Sequence, residues 1–284
     1  MTPPATDRAA VLGLGIIGSR AAARLAAGGW QVACWNRSPK GLPGEVASAA
    51  EAVAGAAVIS LYLKDAPAVR QVVTKIAPGL GAGQLVLNHS TVDLATTQWL
   101  DQLCRERGCR FLDAPFTGSK LAAGSGQLVY YTGGDEDLVR EVEPYLRLTG
   151  KALLPCGGVG AATVVKLATN LISACTVQAL AEALAIATRH GVTAECFTRA
   201  VAGNFCGSPL SGFKLPTMAA GEFETHFSLD NMRKDSVYAL DLAAAAGLET
   251  PAIQAVSGRM ADLCAAGLGG LDYSALAQPY HTAP

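Results

Sequence analysis

The sequence changes its periodicity once, and that change constrains the fold more than any other feature. Up to about Leu154, short β-like runs alternate with helical patterns; after it no strand pattern appears. The runs are Ala9–Leu14, Gln31–Trp35, Ala57–Leu63, Gln84–Leu87, Arg110–Leu112 and Leu128–Thr132. Between them lie helical stretches that include Ile17–Ala27, Pro67–Ile76 and Leu94–Arg107. Strands alternating with helices predict a parallel, doubly wound α/β sheet. Thr163–His190 then reads as one long helical pattern, apolar on nearly every face, with Gly191 as its stop. Such a helix spans roughly 42 Å, and its composition calls for burial all round. Further helical segments follow at Ala194–Ala202, Asp230–Ala246 and Pro251–Ala266, the last with Thr250 as the expected N-cap before a first-turn proline. The chain therefore divides into an α/β domain over 1–160 and an all-α domain over 161–284, with the boundary in the glycine cluster Gly157–Gly160.

Length and charge agree with this division. A chain of 284 residues suits two domains. Lys plus Arg is 22 and Asp plus Glu is 23, so no basic face for nucleic acid or a membrane surface is expected. The eight cysteines, at 34, 104, 109, 156, 175, 196, 206 and 264, form no C-x-x-C pair and no zinc spacing with histidine. They read as reduced, mostly buried thiols of a cytoplasmic protein, with no metal site. Met1–Arg8 lacks the apolar core of a signal peptide. The longest apolar stretch, Leu171–Ala187, is interrupted by Gln178 and Glu182, so no transmembrane helix is expected.

Gly13-Leu14-Gly15-Ile16-Ile17-Gly18 is a G-x-G-x-x-G motif that follows a strand and opens a helix. In that context the first glycine makes the tight turn, the second lets the backbone approach a pyrophosphate, and the third lets helix and strand pack closely. The helix N-terminus adds amide donors and a positive dipole end. A dinucleotide site on a Rossmann-type sheet is therefore expected. The second strand ends Cys34-Trp35-Asn36-Arg37-Ser38 without a carboxylate. An acid there would bind a ribose 2′-hydroxyl, whereas Asn36, Arg37 and Ser38 suit a 2′-phosphate, and so NADP rather than NAD. The competing reading is a solvated turn before Pro39.

Three later motifs complete a fixed order: Asp113-Ala114-Pro115-Phe116-Thr117-Gly118-Ser119-Lys120, then Gly157–Lys166 with Asn170 four residues on, then Lys234-Asp235. Together with the glycine loop they resemble the β-hydroxyacid dehydrogenase family over nearly the whole chain. Within it the sequence is most similar to glyoxylate/succinic semialdehyde reductases, which share the Trp35-Asn36-Arg37 strand end, the Gly118-Ser119-Lys120 loop end and the Gly267–Ser274 tail. The resemblance implies NADPH-dependent reduction of a small carboxylate-bearing aldehyde. It implies that Lys166 is the catalytic acid. Thr117 and Gly118 would bind the substrate carboxylate, with Asn170, Asp235 and Phe227 also on the substrate side. Lys234, Tyr62, Leu63 and Thr91 would line the cofactor.

Three departures from the family pattern bear on specificity. The segment from Ser38 to Ala47 is short, so the usual second helix must be truncated. Ala162 replaces a glycine, and Thr117 replaces a serine. Read without the resemblance, Lys166 would be a snorkelling surface lysine, Asn170 an interhelical hydrogen bonder, and Lys234-Asp235 a solvated charge pair. His89 and His226 read as structural or surface residues. The alternatives in function are an imine reductase of related fold and a non-catalytic dinucleotide-binding member of the family. Lys166 argues against both. A homodimer or tetramer is expected, because one small domain cannot cover a helix apolar on every face.

Overall fold

The computed structural model describes residues 8–281; of the Met1–Arg8 segment only Arg8 lies within them. Two compact units divide at Lys166/Leu167. The first runs β1 (Arg8–Leu12), α1 (Gly18–Ala27), β2 (Gln31–Trp35), α2 (Ala49–Val53), β3 (Val58–Leu61), α3 (Ala66–Ile76), β4 (Leu85–Asn88), α4 (Leu94–Arg107) and β5 (Arg110–Asp113). It continues with β6 (Phe116–Thr117), α5 (Lys120–Ser125), β7 (Leu128–Gly133), α6 (Glu136–Arg147) and β8 (Gly150–Gly157). Four consecutive β1 residues, Ala9 to Leu12, are wholly buried. Successive strand side chains face opposite ways, so both faces of the sheet are covered. That is why these strands read as unbroken apolar runs rather than alternations.

Strands β2-β1-β3-β4-β5 are parallel and lie in that order. The order reverses at β1, which opens a crevice at the carboxyl ends of β1 and β3. The sheet is not parallel throughout, as the sequence suggested. β7 runs antiparallel to β5 and β6 and parallel to β8. The 118–127 connection between β6 and β7 is shorter than the dozen or so residues a parallel crossover needs. β1 stops two residues short of expectation because Gly13 turns the chain at φ 101°, and β3, paired with it, also stops two residues short.

α7 (Ala161–Arg189) carries the chain into the second unit. There follow α8 (Ala194–Ala202), α9 (Pro209–Ala220), α10 (Leu229–Ala245), α11 (Pro251–Leu263), a 3-10 turn at Tyr273–Ala277 and the short α12 (Gln278–His281). The core of this unit gathers Ala174, Val177, Ala181 and Leu184 of α7 with Leu215, Met218, Leu229, Met232, Ile253, Met260 and Leu276. By length and composition alone α7 could cross a membrane. Its Asn170 and Gln178, however, are buried and bonded to Asp235, Glu182 and Tyr280 within the helical unit.

Several expectations for this half need correction. α7 is not buried all round: Ile172 and Ile186 are 62% and 63% exposed, because the other helices of its unit cover only the opposite faces. Thr250 does precede α11, but at ψ 69° its hydroxyl makes no capping bond. That helix ends at Leu263, and the chain turns at Gly267 with φ 87°. α9 had no sequence-level expectation. Of the eight cysteines only Cys34, Cys104 and Cys109 are buried; Cys196 and Cys206 are exposed, and all eight are free.

Candidate functional site

The glycine loop leaves β1 and enters α1. Gly13 donates its N–H to Trp35 O at 2.8 Å. Its φ is positive, and a Cβ there would lie 2.2 Å from Tyr62 O. At Gly18 a Cβ would fall 1.9 Å from Gly13 O, so the third glycine permits the helix to pack on the turn. Gly15 differs: no atom lies within 4 Å of its Cβ position, and the residue is exposed. The backbone is bare where the motif needs it to approach a ligand, and Ile17, the N-cap of α1, offers no side-chain cap. These are the features of an anion cradle at a helix N-terminus. Leu14 is buried, Ile16 is exposed, and Ile17 packs partly buried against the core beneath the loop.

Asn36 ties the loop to the end of β2. Its Oδ1 accepts the Leu14 N–H at 3.0 Å, and its Nδ2 donates to Ser38 O at 2.8 Å. Arg37 and Ser38 stand exposed on the turn. The expected truncation is present: 39–47 holds no helix, and α2 has five residues. Glu45 closes this segment by accepting the Lys40 and Leu42 N–H groups. Those bonds, the Lys40 N–H first, hold its carboxyl below the usual value.

Tyr62 and Leu63 follow β3 and lie against the glycine loop. Leu63 N–H donates to Ser90 Oγ at 2.8 Å, and Ser90 donates to Leu61 O, so Ser90 fixes the exit of β3 beside half-buried Thr91. The Tyr62 ring stacks on His89 with centroids 4.5 Å apart, and its hydroxyl bonds Tyr130. His89 is a structural residue: it is buried, bonded to Ala114 O and Ser60 Oγ, and lowered by burial to a pKa of about 4. Burial also pushes the Tyr62 phenol well up, so it stays protonated.

Thr117 and Gly118 lie exposed on the β6–α5 turn. Gly118 has φ 137°, and a side chain there would press on Leu128 at 2.8 Å. Lys166 is half-buried in the second turn of α7. The turn before it is anchored by Asp113, which is wholly buried. Its carboxylate accepts the Thr163 N–H at 2.8 Å and the Thr163 hydroxyl at 2.9–3.0 Å. Burial raises Asp113 to a pKa of about 6 against the pull of these donors. Ala162 is wholly buried beside Gly133.

The remaining candidates belong to the helical unit. Asn170 donates to Asp235 Oδ2 at 2.7 Å, and Lys234 Nζ lies 2.8 Å from Asp235 Oδ1. The adjacent lysine and aspartate are therefore not a solvated pair: the Asp235 side chain is buried and joins α10 to α7. Phe227 is anchored upstream of α10 by its N–H on Asp272 Oδ2 at 3.0 Å, with its ring edge-on to Tyr273. Asp272 also accepts the His226 N–H and both donors of Ser274, and it pairs with buried Lys214 at 2.5 Å. Burial opposes its ionisation, but Lys214 and these donors hold its carboxyl below the usual value. Asp113, Ser90, Lys214 and Asp272 escaped the sequence reading as supports of the site. Asp113 and Asp272 stood in quoted motifs, yet nothing local marked their partners.

Comparison with known proteins matches both halves of the chain to families. Residues 8–158 match the family model described as the NAD binding domain of 6-phosphogluconate dehydrogenase. Residues 160–280 match the NAD-binding domain of NADP-dependent 3-hydroxyisobutyrate dehydrogenase. Glyoxylate/succinic semialdehyde reductase 2 of Arabidopsis thaliana is 29% identical, over 93% of this chain and 77% of its own. The 2-hydroxy-3-oxopropionate reductase of Escherichia coli is 29% identical, over 94% of both chains. The solved 3-hydroxyisobutyrate dehydrogenase of Mycobacterium tuberculosis, with L-serine, superposes with a TM-score of 0.87 at 27% identity, covering 96% of this chain and 99% of that one. The chain belongs to the β-hydroxyacid dehydrogenase family and is an NAD(P)-dependent oxidoreductase.

Proposed function

We propose that this enzyme reduces a small carboxylate-bearing aldehyde, of glyoxylate or succinic semialdehyde type, to the hydroxy acid with NADPH. The observation that carries the reading is Lys166, set one turn beyond the anchored start of α7 and followed at i+4 by buried Asn170. Gly13–Gly18 would hold the pyrophosphate, since Gly15 leaves open the space that a Cβ would fill. Asn36 shapes the turn on which Arg37 and Ser38 would meet a 2′-phosphate. Tyr62, Leu63, Thr91 and Lys234 would line the dinucleotide. When bound, the dinucleotide supplies hydride to the carbonyl carbon. Thr117, through its hydroxyl, and the Gly118 N–H would hold the substrate carboxylate, with Asn170, Asp235 and Phe227 as further substrate-side groups. Lys166 Nζ would deliver a proton to the carbonyl oxygen as negative charge gathers there. Such general-acid work contributes about 10²–10⁴-fold.

The eight free cysteines support a reducing compartment, the cytoplasm. The exposed Ile172 and Ile186 support a homodimer or dimer of dimers covering that face of α7.

The test is NADPH oxidation with glyoxylate, succinic semialdehyde and a cyclic imine, each with parent and Lys166→Met. Methionine keeps the bulk and removes the charge. Turnover of an aldehyde, with kcat lost by about 10²-fold or more in the variant, is the expected result. Imine turnover alone would assign the chain to imine reduction, and no turnover at all would favour a binding role. A variant within about threefold of the parent would move the barrier by less than roughly 1 kcal/mol and remove Lys166 as the acid.

A further inference from the structure

Asp113 ends β5 and begins the loop that carries Thr117 and Gly118. The same residue reaches fifty positions along the chain to α7. Gly160, immediately before that helix, has no side chain with which to cap it. The orphan N–H groups of the first turn are met elsewhere. Ala161 donates to Gly158 O, and Thr163 donates to Asp113, which Gly160 N–H also approaches. The Thr163 hydroxyl is a second donor to the same carboxylate, while Thr97 Oγ1 of α4 lies 2.8 Å from Thr163 Oγ1. Asp113, Thr97 and Thr163 are each 0–3% exposed. A carboxylate at this place suits the positive end of α7, but burying it carries a cost. Gly160 itself cannot supply the cap, because at φ 92° a Cβ would lie 2.6 Å from the Leu94 side chain, so the cap comes from Asp113.

We propose that Asp113 and Thr163 are positioning residues for Lys166. One buried carboxylate registers the first turn of α7, and so the lysine three residues on, against the Asp113–Gly118 loop that precedes α5. Thr163 and Lys166 stand at i and i+3, neighbours on one helix face. Losing the Thr163 hydroxyl leaves Thr163 tied to Asp113 by its N–H alone. A proton donor displaced by a fraction of an ångström loses much of its effect. The proposal rests on the reading of Lys166 as the proton donor.

The experiment compares Thr163→Ser, Thr163→Ala and Asp113→Ala with the parent in steady-state kinetics, and repeats Thr163→Ala on the Lys166→Met background. NADPH affinity and thermal melts are measured for each. Thr163→Ser keeps both bonds and should stay within about twofold of the parent. Thr163→Ala should lose about tenfold in kcat with NADPH affinity unchanged, and Asp113→Ala about 100-fold. On the Lys166→Met background Thr163→Ala should change kcat by less than about twofold, because the pair acts only through the lysine. If Asp113→Ala does not fold, the serine and alanine variants at 163 carry the test alone. The proposal is overturned if folded Thr163→Ala keeps the parental kcat, or if its loss is the same with and without Lys166. Parental activity in Lys166→Met alone would instead refute the underlying reading, and this proposal with it.

Discussion

The three glycines of the loop can be separated experimentally, because the structure assigns them different tasks. Consider alanine at each position in turn. At 13 the backbone sits at φ 101°, a region that costs an L-residue roughly 1–2 kcal/mol. The new methyl would also meet the Tyr62 carbonyl at 2.2 Å and the Leu63 side chain at 3.2 Å. Backbone cannot yield cheaply, and overpacking of this kind costs about 1–3 kcal/mol more. Gly13→Ala should therefore lose about 2–5 kcal/mol of stability. At 18 the methyl would lie 1.9 Å from Gly13 O without any φ penalty, so the loss comes from the clash alone, about 1–3 kcal/mol. At 15 nothing lies within 4 Å, and stability should stay within about 0.5 kcal/mol of the parent. The same open space is where a pyrophosphate would meet bare backbone, so Gly15→Ala should lose dinucleotide affinity by about tenfold or more, at least 1.4 kcal/mol.

Urea unfolding of the ligand-free protein gives the stabilities, and titration of tryptophan fluorescence with NADPH gives the affinities. The expected result is two unstable variants and one stable variant that binds poorly. Unchanged binding in Gly15→Ala would mean that the loop does not approach the pyrophosphate. A fully stable Gly13→Ala would mean that the turn is not built as described.

Further outcomes follow from other parts of the molecule. Arg37→Ala should weaken NADPH binding by about 1.5–3 kcal/mol, the range of a charged hydrogen bond, and NADH binding far less; equal losses would refute the 2′-phosphate assignment. Ile172→Glu with Ile186→Glu should turn an assembled parent into a monomer by light scattering, since both side chains stand on the exposed face of α7; a parent that is already monomeric at micromolar concentration would refute the assembly. Asp113 and His89 should make opposite contributions to pH-dependent stability. Folded Asp113 holds its proton up to about pH 6, so its contribution is complete below about 3.8 and lost as pH rises through 6. Folded His89 stays neutral down to about pH 4, so its contribution is complete above about 6.5 and lost as pH falls through 4. Urea unfolding between pH 4 and 6.5 should show stability rising more steeply with pH in Asp113→Asn than in the parent, and less steeply in His89→Gln; equal slopes in all three would contradict both assignments.

What was legible in the sequence was local. β2 and α4 fall on the expected residues, because an apolar run and a capped helix announce themselves within a few positions. The glycine loop is readable because its G-x-G-x-x-G spacing falls within six residues, although the carbonyl that Gly13 must avoid, Tyr62 O, lies far along the chain. The supports of the site lie in pairs 50, 65 and 58 residues apart, Asp113 with Thr163, Asn170 with Asp235, and Lys214 with Asp272. Nothing in the neighbourhood of one partner names the other. α9 failed to register because Pro209, Gly212 and Pro216 give it the composition of a loop. It forms because Ser208 and Ser211 make a capping box, Pro209 falls at the first turn, and Lys214 is drawn into the core by Asp272.

The long helix shows the same limit from the other side. Composition treats its faces as nearly equivalent, yet the fold does not. Asn170 and Gln178 are turned into the helical unit, where Asp235 and Tyr280 receive them, while Ile172 and Ile186 face outward. The face of α7 that packs into its unit is otherwise apolar, with Ala174, Val177, Ala181 and Leu184, so Asn170 and Gln178 are exceptions on it that need partners and have them. Asn170 stands one turn after Lys166, where the proposed chemistry would use it, and the exposed isoleucines are where the proposed assembly would form. Neither feature can be read from hydropathy, because each depends on which neighbours the fold brings to that face of α7. Replacing Ile172 and Ile186 should therefore break assembly without touching the Asn170–Asp235 bond, and removing Asn170 should do the reverse.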